Sequence, residues 1–116
     1  GGTDDECTMV RSGCFSIDEL RRLRAVGAVG DVLGNYVDVH GRRLESTETA
    51  RLVSLGIDEL RAIDTVVVVV SESEKPFAIL GVLRTGIVDV LVVDEANAHV
   101  LIEAVRESNL RPRSEV

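Results

Sequence analysis

The sequence predicts an α/β fold: a partial doubly wound parallel sheet with an irregular β-hairpin insertion. Three observations carry this expectation. Thr65-Val66-Val67-Val68-Val69-Val70 is a continuous β-branched run, as a strand covered on both faces requires, and such strands belong to parallel sheets. Val88–Val93 is a second aliphatic run, broken only by Asp89. Between them Phe77, Ile79, Leu80 and Leu83 supply the apolar face of a helix. A strand, a crossover helix and a parallel strand make half of a doubly wound unit. Two such strands are too few for a complete sheet, so the sequence reads as a fragment completed by further chain or by a partner subunit.

The elements follow in order. Gly1–Glu6 is polar and glycine-led, and residues 1–7 are expected to fray or to be an expression remnant. Ser16 is a good N-cap, and Glu19 lies three residues later as in a capping box. Leu20 and Leu23 carry the apolar stripe of that helix, which Gly27 ends. Val29–Val39 is rich in strand formers but interrupted by Gly30 and Gly34. His40-Gly41 reads as a turn from which Arg42–Leu44 returns. Leu52–Leu55 reads as extended. Gly56 to Leu60 starts a short helix with Asp58 and Glu59 at its positive end. Ser71–Glu74 is a polar loop, Pro76 opens the next helix and Gly86 closes it. Asp94 closes the second strand, Ala96–Arg106 is a helix, and residues 107–116 are read as a flexible tail.

Composition narrows the function. The net charge is −7 and the basic residues are scattered among carboxylates, so direct DNA binding by this segment is disfavoured. No run is long enough to span a bilayer, and no signal peptide is visible, which gives a cytoplasmic expectation. Cys7 and Cys14 form no metal-ligand pattern and read as free thiols. His40 and His99 lack metal spacing, and no catalytic Ser/His/Asp or Cys/His arrangement stands out. No metal, cofactor or catalytic residue is therefore expected.

Specific motifs add to this reading. Gly27-Ala28-Val29-Gly30-Asp31-Val32-Leu33-Gly34-Asn35-Tyr36-Val37-Asp38-Val39-His40-Gly41 resembles a GAVGD-containing stretch of the sugar-binding domain of SorC-type (DeoR-like) transcriptional regulators. Lys75 to Gly86 and Val88 to Ala98 resemble two later segments of that domain, and Leu52 to Ile63 fits the helix before its valine strand. Order and spacing agree over about residues 8–105. The resemblance implies that residues 8–106 are the C-terminal half of an effector domain similar to the glucosamine-6-phosphate and ribose-5-phosphate isomerase fold. It further implies a sugar, polyol or sugar-phosphate effector, bound without turnover. Homo-oligomers would change their grip on DNA through a helix-turn-helix domain that lies outside this chain. A sugar-phosphate isomerase-like enzyme and a ligand-free oligomerisation module on the same fold remain alternatives.

Four residues are candidate ligand contacts. Gly30 would let a ligand approach the backbone. Asp31 would accept hydrogen bonds from sugar hydroxyls, against the alternative of a turn aspartate bonding its own backbone. Lys75 follows a buried strand and precedes a helix, at the carboxyl edge where open α/β sheets bind ligands. Asp94 ends the second strand at the same edge, with capping of the next helix as its alternative role. The loop Ser71-Glu72-Ser73-Glu74 departs from the family's glycine-rich pattern. Its two carboxylates disfavour an anion and point to a neutral sugar or polyol. Tyr36 is expected to pack within the hairpin.

Overall fold

A computed structural model describes residues 1–71 and 75–110. Glu72, Ser73 and Glu74 of the acidic loop, and residues 111–116 of the expected tail, lie outside the described residues. In chain order the elements are α1 (Thr8–Arg11), α2 (Ile17–Ala25), β1 (Gly30–Val32), β2 (Asn35–Val37), a 3-10 turn (Thr49–Arg51), α3 (Ile57–Arg61), β3 (Val67–Val70), α4 (Pro76–Arg84), β4 (Val90–Val93) and α5 (Glu95–Leu110).

Helix α2 forms as its caps dictate. The Ser16 hydroxyl accepts the Glu19 amide at 3.1 Å, and the Glu19 carboxylate accepts the Ser16 amide at 2.8 Å. Gly27 takes φ +105° beyond its end, a backbone shape other residues adopt at a cost. Leu20 and Leu23 face inward with Cys7, Phe15, Ala28 and Tyr36. Tyr36 is fully buried, its ring centroid 5.8 Å from that of Phe15, so its expected packing role holds. Burial pushes the Tyr36 hydroxyl well above its usual range.

The hairpin differs in detail from the sequence reading. Strands β1 and β2 pair antiparallel in register Gly30↔Val37 to Val32↔Asn35, so the first reversal is at Leu33-Gly34. Both residues have positive φ, +50° and +79°, as a tight turn between right-twisted strands requires. The expected second reversal follows. The Asp38 carboxylate accepts the His40 and Arg42 amides, each at 2.9 Å, and Val37 bridges back to Arg43. The segment is thus a short meander. Burial opposes ionisation of Asp38, but these amides and the Arg42 guanidinium hold its carboxyl below the usual range.

Helix α1 and the 3-10 turn are short elements that the sequence reading passed over, since one turn shows no apolar period. At the terminus expected to fray, Asp5 bridges Arg21 and Arg24 at 3.0 and 2.8 Å, and Cys7 is buried. Cys7 and Cys14 are free thiols. Helix α5 continues past the expected end at Arg106 to Leu110.

Strands β3 and β4 pair in parallel, Val67↔Val90 through Val70↔Val93, with α4 as the crossover. Within this chain one face of the two strands is covered. Val68, Val70, Leu91 and Val93 are half-buried, the last three packed with Ile79, Leu80 and Leu101 of α4 and α5. Val67, Val69, Val90 and Val92 on the opposite face are 53%, 68%, 46% and 50% exposed. Both helices lie on one face, and side chains alternate along a strand, so every second valine is left in solvent. Phe77 is a second correction. It is 59% exposed, while Ala78, Ile79, Leu80 and Val82 form the buried side of α4.

Glu48 anchors the loop before α3. Its carboxylate takes the Arg22 guanidinium at 3.0 and 2.9 Å. Its own backbone amide, Arg22 and the Ser46 hydroxyl hold its pKa down from 4.5 to about 2. Between those values the unfolded chain binds a proton that the folded chain excludes, so this contribution to stability is lost as pH falls through that window. Urea midpoints measured from pH 5 to pH 2 are expected to fall less steeply in Glu48→Gln than in the unmodified chain.

Candidate functional site

A cavity of about 400 Å³ opens beside the carboxyl end of β3. Three elements build it. The hairpin brings Asp31, Val32 and Leu33; β3 and its exit bring Val68, Val69, Val70 and Ser71; α4 brings Ala78, Ile79, Val82 and Leu83, with Lys75 at its start. Polar groups come from Asp31, Lys75, Thr8, Ser71 and the Gly1 backbone, while the remaining wall is aliphatic.

Asp31 reaches the cavity because β1 packs on α4. A Cβ on Gly30 would lie 2.6 Å from the Ala78 Cβ, so only glycine allows that approach. The Asp31 Oδ2 accepts the Gly34 amide at 2.9 Å. The aspartate therefore fulfils its alternative role in the turn, and it is also among the residues that line the cavity. The Gly1 amine stands 3.2 Å from the Asp31 Oδ1, and the Asp31 amide donates to the Gly1 carbonyl at 2.8 Å.

Lys75 is the N-cap residue of α4, with Pro76 at the first helical position. Its stem lies against Gly2, where a Cβ would stand 3.2 Å from the Lys75 Cδ. The Lys75 amide donates to the Asn97 Oδ1 at 3.1 Å. Asn97 is only 1% exposed. Its amide donates to the Asp94 Oδ1 at 2.8 Å, and its Nδ2 to the Asp94 Oδ2 at 3.3 Å.

The four sequence candidates thus separate. Asp31 and Lys75 line one cavity. Gly30 lies behind Asp31 as the residue that permits the packing, and Asp94 caps α5, joined to Lys75 through Asn97. Asn97 was not singled out in sequence, although an aspartate followed three residues later by a hydrogen-bonding residue is a capping signal. Asp94→Ala is expected to cost about 0.5–2 kcal/mol of stability. It should also loosen the Lys75 backbone, read as faster amide hydrogen exchange at Lys75.

The arrangement offers an acceptor, a cation and two hydroxyls around a mostly apolar hollow, the composition of a small-molecule site. Among the described residues no group of three or more His, Cys, Asp and Glu is placed to hold a metal ion. No helix of the described residues is long and apolar enough to cross a membrane.

Fold and cavity together describe a small α/β module with a hollow beside the carboxyl end of its first parallel strand. The family model described as "Putative sugar-binding domain" matches residues 1–103, and the chain belongs to that family. It is 32% identical over 98 residues to the transcriptional regulator LsrR of Enterobacter sp. (strain 638), covering 84% of this chain and 30% of the relative. It is 28% identical over 102 residues to the erythritol catabolism regulatory protein EryD of Brucella abortus, covering 88% and 32%. The solved "Putative Sugar-Binding Domain of Transcriptional Repressor" from Vibrio fischeri superposes with a TM-score of 0.79 at 32% identity, over 91% of this chain and 43% of that one. The full-length sorbitol operon regulator SorC of Klebsiella pneumoniae shares the fold, with a TM-score of 0.68 at 24% identity, over 73% of this chain and 27% of that one. The chain spans about a third of the length of the curated relatives it matches.

Proposed function

We propose that this chain is the effector-sensing part of a transcriptional regulator, taking a sugar or polyol between Asp31 and Lys75. One observation carries the reading: these two residues, far apart in sequence, line the same cavity at the carboxyl end of a parallel strand. A carboxylate there accepts from hydroxyls, and an ammonium beside a helix start donates to hydroxyl or phosphate oxygens. The acidic sequence before Lys75 favours a neutral ligand over a phosphorylated one.

In this reading residues 8–106 are the C-terminal half of an isomerase-like effector domain, flanked by residues 1–7 and 107–116. The protein is cytoplasmic and non-catalytic. It acts as a homo-oligomer whose arrangement the ligand biases, and it reaches DNA through a helix-turn-helix domain outside this chain. A thermal-shift panel of sugars, polyols and their phosphates is expected to raise the melting temperature with at least one neutral compound, and less so in Asp31→Asn. A panel in which no compound moves the midpoint contradicts the reading.

One observation favours a second role as an oligomerisation module, the exposed row Val67, Val69, Val90 and Val92. An apolar face of this kind is a surface that association covers. Val92→Lys, on the same row but outside the cavity lining, is expected to reduce self-association in sedimentation velocity if a second copy covers that face.

A further inference from the structure

We propose that Leu33 is a specificity-determining residue of the cavity, selecting a ligand that lacks a hydroxyl on the carbon facing it. This rests on the reading of Asp31 and Lys75 as the ligand site.

Leu33 is the only non-glycine with positive φ among the described residues, at +50°. That conformation crowds the Cβ of an L-residue against the following carbonyl. The turn needs positive φ at both positions, and Asn-Gly or Asp-Gly meets the need at low cost because the short polar side chain bonds locally. Leucine has no such bond to make. Burial does not offset the strain either, since Leu33 is 57% exposed. Strain held without local compensation is a feature of ligand-contacting segments.

Position gives the strain a use. Leu33 lines the cavity two residues after Asp31, with Val69, Val82 and Leu83 also in the wall. The polar groups are those of Asp31, Lys75, Thr8, Ser71 and the Gly1 backbone. A ligand held by these through its hydroxyls turns its remaining edge toward aliphatic side chains. A hydroxyl on that edge would lose its water without gaining a partner. The hydrogen of a deoxy carbon would gain contact with the leucine methyls instead. The ligand class is therefore a sugar or polyol with a hydroxyl-poor edge.

The test compares D-ribose with 2-deoxy-D-ribose and 5-deoxy-D-ribose, using calorimetry on the unmodified chain, Leu33→Asn and Lys75→Met. Leu33→Asn creates the favoured Asn-Gly turn, so it should melt above the unmodified chain without ligand. The unmodified chain is expected to bind one deoxy sugar about tenfold more tightly than ribose, and Leu33→Asn to bring that ratio close to one. A preference that survives Leu33→Asn overturns the proposal, and so does an unmodified chain that binds the three sugars equally. A lower melting temperature for Leu33→Asn overturns the strain argument. Binding lost in Lys75→Met but unselective at Leu33 leaves the site reading standing and removes only this inference. No binding of any of the three sugars contradicts the inference itself, whereas the broader panel decides the site reading.

Discussion

Gly81→Val is expected to destabilise the chain by about 1–3 kcal/mol or more, read as a lowered urea midpoint at unchanged slope. Even a Cβ on Gly81 would lie 2.6 Å from the Asp38 carbonyl oxygen and 2.9 Å from a Val29 methyl. The first is backbone in a hydrogen-bonded turn, so it has little room to yield. The same contact joins α4 to the hairpin, and with it Lys75 to Asp31. Gly30→Ala is expected to act similarly, because its Cβ would meet the Ala78 Cβ at 2.6 Å and the Gly1 carbonyl at 2.7 Å. Gly56→Ala is the control. Nothing lies within 4 Å of its added Cβ, so a change within about 0.5 kcal/mol is expected.

Lys75→Met and Asp31→Asn are expected to weaken ligand binding far more than they weaken the fold. A hydrogen bond to a charged group contributes about 1.5–3 kcal/mol, so each variant should lose roughly ten- to a hundredfold in affinity. Methionine keeps an apolar stem to lie against Gly2. The asparagine side-chain oxygen still accepts the Gly34 amide that Asp31 now accepts at 2.9 Å. Calorimetric titration with the best compound of the panel measures the loss, and a denaturation midpoint near that of the unmodified chain separates it from unfolding.

Much of this architecture was legible in the sequence because its signals are local. The Ser16–Glu19 capping box, Pro76 at the first position of α4 and Gly86 beyond its end each specify their own backbone. The valine runs announced parallel strands, and those strands pair as expected. What the runs could not announce is coverage. A β-branched run fixes strand character on both faces alike, but only packing decides which face a helix covers. Val69 and Val70 are chemically identical, yet one is exposed and the other sits against α4 and α5.

The site was legible in part. Asp31 and Lys75 stood out by residue type and motif, and they line one cavity. Asp94 stood out for the same reason, and its carboxylate holds Asn97 at the start of α5. A carboxylate one residue before a helix reads alike as cap or ligand until its neighbours are placed. Leu33 carried no signal, because a leucine before a glycine says nothing of φ unless the strand register is known. Glycine at position 30 reads in sequence as an opening toward a ligand, and its close neighbours in the structure are Ala78 and Gly1.

In the proposed function a sugar or polyol occupies the hollow between Asp31 and Lys75. Amide chemical-shift mapping tests it most directly, with the ¹⁵N-labelled chain titrated with the strongest compound of the panel. The predicted result is a saturable set of shifts centred on Asp31, Leu33, Gly34, Ser71 and Lys75, absent in Lys75→Met. Saturable shifts centred elsewhere, or shifts at these residues that persist unchanged in Lys75→Met, would contradict it.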